Sequence, residues 1–344
     1  VTTNNSAKVL VLTGGRSAER DVSLSSGAAI CRALHEAGFE VLLFDPATSR
    51  PPVAWNPESG MAAIDKTPPD PKALVAEGLP FGVAMTPADV SRADLNQIDL
   101  VFIALHGGDG ENGRLQALLD TCGVHYTGSG MAASALAMDK HAAKRIFRAE
   151  EIPTPRWRIL DRGDDMTYGE ATGELGTPLI VKPNAQGSTV GLTLVREKAQ
   201  WADALAEGFR WDERLIVEEY IAGREITVGV LGDRALPVVE ITPTHDLYDY
   251  ECKYTSGRSS YTCPADLTAE QTARVQELGL RAFRALDCRG YARTDFRMSD
   301  DGQFYCLEVN TLPGMTSTSL VPKAARAAGM SFEELLRQIC ELAM

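Results

Sequence analysis

The sequence lacks long apolar runs, is short of positive charge, and has cysteines that form no pattern. The apolar stretch nearest the start is Val9 to Leu12. It falls well below the ~18–20 residues of a membrane span or the ~7–15 of a signal-peptide core, so a cytoplasmic protein is expected. Lys and Arg total 34 against 47 Asp and Glu, a formal net charge of -13. Such a field offers no attraction to phosphate backbones or anionic lipid, which argues against nucleic acid or a membrane as partner. Any phosphate held here must be met by individual lysines in local settings. The cysteines, at 31, 122, 252, 263, 288, 306 and 340, are odd in number, with no C-x-x-C pair and no His at metal-ligand spacing. Neither a zinc site nor a disulfide framework is expected from them; they read as reduced packing residues. There is no internal repeat or low-complexity tract. What is left, 344 residues with 44% hydrophobic and 24% charged, suits a globular protein of two or three domains.

Val9 to Leu12, Val41 to Phe44 and Leu100 to Leu105 read as buried parallel strands. Between the first two, Ile30, Ala33, Leu34 and Ala37 keep helical spacing, and Gly38 stands where a C-terminal cap belongs. Strand, glycine-rich turn, helix and strand make an open α/β domain, whose ligands gather where strand ends meet loops. From Pro46 to Pro87 the chain carries nine of its 18 prolines and little periodicity, the mark of an irregular insertion. One Ala-rich helix over 131–150 opens a second unit with strands at Leu179 to Val181, Thr193 to Val195 and Leu215 to Glu218, and Ile221 to Gly223 reads as a boundary. Beyond it come strands at Glu225 to Leu231 and Ala235 to Ile241. A helix follows, opened by the capping box Thr268 to Gln271, with Val275, Leu278, Ala282 and Leu286 on its apolar face. A second box, Ser331 to Glu334, opens a terminal helix with Phe332, Leu335, Leu336 and Ile339 on one face.

The sharpest chemical signal is a hairpin, in which Tyr291 to Met298 and Gln303 to Asn310 flank the turn Ser299-Asp-Asp-Gly302. Strict alternation puts Arg293, Asp295 and Arg297 on one face of the first strand and Phe304, Cys306, Glu308 and Asn310 on one face of the second. Asp295 then lies within a diagonal-neighbour distance of Glu308, roughly 7–8 Å. Two carboxylates and an amide oxygen suit magnesium. A solvated polar strand face would carry the same residues, and the run on to Pro313 and Gly314 favours the metal.

Lys182-Pro-Asn-Ala-Gln-Gly187-Ser-Thr-Val-Gly191 is not a Walker A loop, because its glycine spacing is wrong and no helix follows. It reads as a flap whose backbone N–H groups close over phosphates; the competing reading is an ordinary hairpin turn, and Lys182 at the strand end tilts the balance. Lys140 and Lys253, taken singly, read as solvated cations. The apolar run up to Glu218 offers a backbone edge that could read an adenine, or else a strand end with Glu218 and Glu219 exposed. Gly14 to Ser23 does not match the dinucleotide fingerprint. Within it, Glu19 holds a substrate ammonium or favours the following helix N-terminus. His106 faces the same cleft or caps the core.

In this order the segments resemble the D-alanine–D-alanine ligase family of the ATP-grasp superfamily. The resemblance covers Gly14 to Ser23, Ala104 to Gln116, Tyr126 to Lys140, Lys182 to Gly191, Tyr248 to Tyr254 and Arg293 to Pro322, and lapses in the Pro-rich insertion. It implies an α/β fold, α+β in its C-terminal parts, with ATP-grasp architecture. An N-terminal α/β domain over 1–128 would hold the first D-alanine and the insertion at about 46–97. A central domain over 129–221 would carry the flap, and a C-terminal domain over 222–344 the metal site and substrate loop. It further implies that Lys140 and Lys182 bind ATP phosphates with Gly187 and Ser188 of the flap. Lys253 would close on the γ-phosphate, Glu218, Glu219 and Ile221 would border the adenine, and Glu225 would reach the ribose. Asp295, Glu308 and Asn310 would hold two magnesium ions, with manganese a possible substitute. Glu19 and His106 would receive the first D-alanine and Ser319 the carboxylate of the second. Similar ligases are homodimers.

The implied chemistry is phosphoryl transfer from ATP to the first D-alanine, then attack on the acyl phosphate by the amine of the second, supplying a dipeptide for peptidoglycan. Arg293 and the Gly314 N–H would stabilise the tetrahedral oxyanion. Tyr254 and Ser188 would be hydrogen-bonded to Glu19, and since relatives that make an ester lack this tyrosine, Tyr254 favours a dipeptide product. Asn184-Ala-Gln186 and Leu312 depart from the commonest family forms. One rival is another ATP-grasp amino-acid or D-alanine–hydroxy-acid ligase, against which Lys253, Tyr254 and Ser319 argue. Another is a non-catalytic nucleotide sensor, which would not need the full metal set.

Overall fold

Residues 7–17, 19–48, 50–57, 85–244 and 258–344 are described by a computed structural model. Its first sheet runs in the order β3-β2-β1-β4, from β1 (Lys8–Leu12), β2 (Glu40–Phe44), β3 (Val53–Ala54) and β4 (Leu100–Ile103). β1 lies parallel to both β2 and β4, a pairing that needs a crossover, supplied by helix α1 (Arg20–Glu36). Gly38, at φ 92°, takes the left-handed position just beyond that helix. Most of the Pro-rich stretch lies outside the described residues, but at its ends β3 adds an antiparallel edge to β2, and Trp55 and Met85 bury themselves in the same core. Two short helices follow, α2 (Pro87–Ala93) and α3 (Arg114–Thr121).

The single Ala-rich helix expected over 131–150 is in fact two, α4 (Met131–Met138) and α5 (Lys140–Ala149). Asp139 breaks them: its backbone is extended (φ -80°, ψ 97°) and its carboxylate accepts the Ala142 N–H at 2.9 Å. An aspartate that can cap a helix competes with helix continuation, and the break makes Lys140 the first residue of α5. The second sheet is antiparallel, in the order β5-β8-β6-β7, from β5 (Trp157–Asp161), β6 (Leu179–Pro183), β7 (Thr193–Val195) and β8 (Arg214–Glu219). Helices α6 (Tyr168–Leu175) and α7 (Trp201–Gly208) accompany it.

The chain changes sheet between Glu219 and Arg224. The third sheet runs β12-β11-β9-β13-β14, with β10 on β9. Its strands are β9 (Arg224–Leu231), β10 (Arg234–Ala235), β11 (Val239–Pro243), β12 (Ser259–Thr262), β13 (Tyr291–Met298) and β14 (Phe304–Asn310). The one strand expected over 235–241 is split at Pro237, which has no N–H to give a ladder. Strict alternation also fails along β14. Asp295 pairs with Glu308 but Phe296 pairs with Cys306, so Leu307 is an extra residue in a β-bulge. Phe304 and Cys306 therefore point into the core while Glu308 and Asn310 point away from it, rather than all four sharing a face.

Helix α8 (Ala269–Ala285), opened by the Thr268–Gln271 box, packs Val275, Leu278 and Ala282 on the third sheet beside Phe147 of α5. The last helices, α9 (Leu320–Ala327) and α10 (Phe332–Glu341), turn back to the first sheet. Leu335, Leu336 and Ile339 are wholly buried in one cluster with Val9, Leu12, Ile30 and Phe102. The second sheet keeps a smaller cluster of its own around Val181, Val195, Leu215 and Val217. Cys31, Cys122, Cys263, Cys288, Cys306 and Cys340 are free; burial pushes the Cys31 and Cys306 thiols up, so they stay protonated. Among the described residues no helix is long and apolar enough to cross a membrane.

Candidate active site

Where the three sheets approach one another there is a cavity of about 210 Å³. Glu19 and His106 line it from the first part, Lys140, Gly187 and Ser188 from the second, and Arg293, Glu308, Asn310, Gly314 and Ser319 from the third. Lys182, Glu218, Glu219, Ile221, Glu225 and Asp295 do not belong to this lining. They stand beside it, along β6, the β8–β9 junction and β13.

Glu19 sits at the start of α1, where an anion favours the helix N-terminus, although its side chain makes no capping hydrogen bond. Its carboxylate meets the flap: a Cβ added at Gly187 would lie 2.7 Å from Glu19 Oε1, and a glycine is needed for so close an approach. His106 is held on every side. Its N–H donates to Ser23 Oγ at 2.8 Å and its carbonyl accepts from the Ser17 hydroxyl. Nδ1 lies 3.4 Å from Glu111 Oε1 and Nε2 3.1 Å from Ser26 Oγ. Ser26 Oγ also accepts the Met315 N–H at 3.4 Å, which ties α1 to the loop after β14.

The loop from Asn184 to Leu192 joins β6 to β7, which pair antiparallel as the hairpin reading expects. At its tip Ser188 and Thr189 both stand at positive φ, 49° and 58°, a conformation costing non-glycine residues of order 1–3 kcal/mol each. At its root Asn184 Oδ1 accepts the His141 N–H at 2.9 Å, and Asn184 O accepts the Lys140 N–H at 3.2 Å. Lys140 Nζ donates to Gln186 O at 2.6 Å and lies 3.2 Å from Glu308 Oε2. Asn184 and Gln186 thus anchor the flap to α5.

Lys182 Nζ donates to Glu218 Oε1 at 2.6 Å, and Lys144 Nζ lies 3.1 Å from Glu218 Oε2. Burial pushes the Glu218 carboxyl up, but the ammonium groups of Lys144 and Lys182 outweigh it and hold the group below the usual carboxylate range. Burial draws the Lys144 ammonium down, and Glu218 opposes that. Glu219 takes Arg156 Nε at 2.7 Å. Arg297 brackets the β8–β9 junction: it donates to the carbonyls of Ile221 (3.0 Å) and Gly223 (2.7 Å) and lies 3.5 Å from Glu225 Oε2.

Asp295 and Glu308 face each other across the β13–β14 pair, with Arg293 opposite Asn310 one step on. Asp295 accepts two bonds from Arg293, each 2.8 Å, and one from Thr227 Oγ1 at 2.6 Å. Asn310 Oδ1 accepts the Leu312 N–H at 2.9 Å. No group of three or more His, Cys, Asp or Glu side chains able to hold a metal occurs among the described residues. The set here is two carboxylates and an amide oxygen, which fits a hard cation that completes its shell with water and phosphate. Arg293 and Lys140 now lie where such a cation would balance charge. Ser319 precedes α9, and its Oγ accepts the Thr316 N–H at 3.1 Å. Lys253 and Tyr254 lie outside the described residues.

The family model described as D-ala D-ala ligase N-terminus matches residues 8–129, and that described as D-ala D-ala ligase C-terminus matches 146–341. A D-alanine–D-alanine ligase from Synechococcus sp. (strain JA-3-3Ab) is 42% identical over 337 residues, covering 98% of this chain and 93% of that one. The chain belongs to the D-alanine–D-alanine ligase family. Another member, from Geotalea uraniireducens (strain Rf4), is 40% identical over 333 residues, 96% of this chain and 94% of its own. Solved members share the ATP-grasp fold. The ligase from Bacillus anthracis complexed with ATP aligns at TM-score 0.75 and 31% identity over 98% of this chain and 97% of that one. The ligase from Coxiella burnetii aligns at TM-score 0.79 and 32% identity, over 98% and 94%.

Several residues that shape this region carry little signal in the sequence. Lys144 is one turn along α5 from Lys140, and that spacing was its only signal. Arg297 was placed on the right strand face but without its role at the β8–β9 junction. Ser26 and Glu111 looked like ordinary polar residues, and nothing local marks them as the partners of His106.

Proposed function

We propose that this chain joins two D-alanine molecules into D-alanyl-D-alanine for peptidoglycan synthesis, using ATP and passing through an acyl phosphate. Membership of the ligase family supports it. The observation that carries it at the level of residues is one cavity that gathers Glu19 from the start of α1, Lys140 from α5, Arg293 and Glu308 from β13 and β14, and Gly314 from the loop that follows. An anion to take an ammonium, cations to take phosphates, carboxylates to take a divalent ion and a backbone N–H to take an oxyanion are the groups this ligation needs in one place.

In this reading Glu19 receives the ammonium of the first D-alanine, and His106, immobilised by Ser26 and Glu111, lines the same end. Lys140 and Lys182 leave Glu308 and Glu218 for the phosphates of ATP. Gly187 and Ser188 bring flap backbone over them, Glu218, Glu219 and Ile221 border the adenine, and Glu225 reaches the ribose. The carboxylate of the first D-alanine attacks the γ-phosphorus and ADP leaves. The amine of the second D-alanine, its carboxylate held by Ser319 before α9, attacks the acyl phosphate carbon and phosphate departs. Arg293 and the Gly314 N–H would offset the charge on the tetrahedral oxygen; one such donor is typically worth ~3–4 kcal/mol. Asp295, Glu308 and Asn310 would hold magnesium, which when bound neutralises charge on the β- and γ-phosphates. The flap, with Lys253 and Tyr254, would exclude water. As the family resemblance implies, we take the domains as 1–128, 129–221 and 222–344, the cytoplasm as the compartment and a homodimer as the assembly.

A coupled assay of ADP and phosphate release across D- and L-amino acids tests the reading. Release dependent on D-alanine, with stoichiometric dipeptide, is expected. Equal activity with L-alanine alone, or ADP release without dipeptide, would overturn it.

A further inference from the structure

Lys144 is a cation for which the reaction above has no use, yet its side chain has 0% exposure. Ammonium groups are almost never so placed unless fully paired, and this one is. Its Nζ lies 3.1 Å from Glu218 Oε2, donates to Thr154 Oγ1 at 2.7 Å and to Pro155 O at 3.0 Å, and stands 5.1 Å from the centroid of the Trp157 ring. Two hydrogen bonds to neutral oxygens and one ion pair to Glu218 hold the ammonium in place.

Lys182 holds the other oxygen of the same carboxylate, at 2.6 Å, and retains 9% side-chain exposure. Two cations thus share one buried anion, but on unequal terms: Lys144 is anchored to fixed oxygens beside β5, while Glu218 is the one partner of Lys182 Nζ among the described residues. Taking away the sole cation of a buried carboxylate is strongly unfavourable. If Lys182 were that sole cation, a phosphate could recruit it only by stranding Glu218.

We infer that Lys144 is a positioning residue, the standing counter-ion of Glu218, which keeps that carboxylate neutralised and so releases Lys182 to the phosphates of ATP. The inference rests on the reading of Lys182 as a phosphate ligand. It gives α5 two functions from one face: Lys140 at its first residue reaches Glu308 and the cavity, and Lys144 one turn later reaches Glu218. Lys144 raises ATP affinity without touching ATP.

The experiment is calorimetric binding of ATP and of adenosine to the full chain carrying Lys144→Met, Lys182→Met, Glu218→Gln, or Lys144→Met with Glu218→Gln. Lys144→Met should weaken ATP on the order of 10-fold, leave adenosine within about 2-fold, and raise KM for ATP more than it lowers kcat. Removing the anion together with its counter-ion should restore ATP binding, so the double variant should match Glu218→Gln within about 2-fold. Equal loss of ATP and adenosine in Lys144→Met, or a double variant far weaker for ATP than Glu218→Gln, would overturn the inference and leave Lys144 as packing. Should Lys144→Met fail to fold, the comparison of the double variant with Glu218→Gln decides alone. Unchanged ATP affinity in Lys182→Met would remove the phosphate role of Lys182 and this inference with it. Loss in Lys182→Met beside no loss in Lys144→Met removes the inference only.

Discussion

The two sides of the cavity are built differently. The side with Glu19 and His106 stands on the first sheet, whose apolar core runs on without a break into α9 and α10, so the amino-acid end and the loop carrying Gly314 and Ser319 belong to one packed body. The second sheet, which carries the flap and Glu218, closes a small core from its own residues. Polar contacts tie it to the rest, among them Lys144 with Glu218, the His141 N–H with Asn184, and Arg297 with the Ile221 and Gly223 carbonyls. A continuous apolar core cannot be opened without exposing it to water, at roughly 25 cal/mol per Å². A hydrogen bond exchanged for another is nearly neutral. The half proposed for the amino acid is therefore assembled in advance, while the half proposed for the nucleotide is attached through contacts that a ligand can replace.

The largest effect is expected at Glu308, on the cavity wall beside Lys140. Glu308→Gln should lower kcat by roughly 100-fold or more, because the proposed metal site loses an anionic ligand, with the thermal melt near wild type since the side chain is not part of a core. Wild-type turnover at saturating magnesium would remove Glu308 from the site. Next come the cores. Leu335→Ala and Leu215→Ala should each destabilise by ~2–5 kcal/mol. They should differ in where hydrogen exchange quickens: across Val9 to Leu12 as well as α10 for the first, within 157–219 for the second. Protection of Val9 to Leu12 untouched by Leu335→Ala would break the comparison. At the amino-acid end, Glu19→Ala should weaken the first D-alanine by about 10–100-fold, the range of a charged hydrogen bond, while ATP stays within about 2-fold. Unchanged D-alanine affinity in a titration would take Glu19 out of the site. The smallest effects come from the capping boxes. Thr167→Ala and Ser331→Ala should each cost ~0.5–2 kcal/mol, read in denaturant unfolding, the first confined to the second sheet and the second felt in the shared core.

Features with local causes could be read from the sequence. The Ser299–Gly302 turn, the boxes at Thr268 and Ser331 and the buried runs of β1, β2 and β4 each depend on residues a few positions apart. The failures are of two kinds. At Asp139 and Pro237 the signal was present, but a periodic apolar pattern outvoted a single residue that caps or interrupts. At Leu307 no local signal exists, because a bulge is decided by what lies across the strand: Phe304 and Cys306 must fill the core while Glu308 answers Asp295. The partner of Lys144 was equally out of reach, since only the packed fold brings β8 against α5. The convergence of Asp295 and Glu308 could be reasoned from spacing; the cations that neutralise them in this structure could not.

The break at Asp139 makes α5 a yoke. Two charges harnessed to one rigid rod serve carboxylates in different sheets, so neither can be re-aimed by the helix without disturbing the other. Substitutions test each end in turn, but a single residue inserted between Lys140 and Lys144 would swing the second by roughly 100° about the axis while the first stayed put. The length between these lysines is what keeps both carboxylates served, while Ala143 between them is fixed by the core it fills.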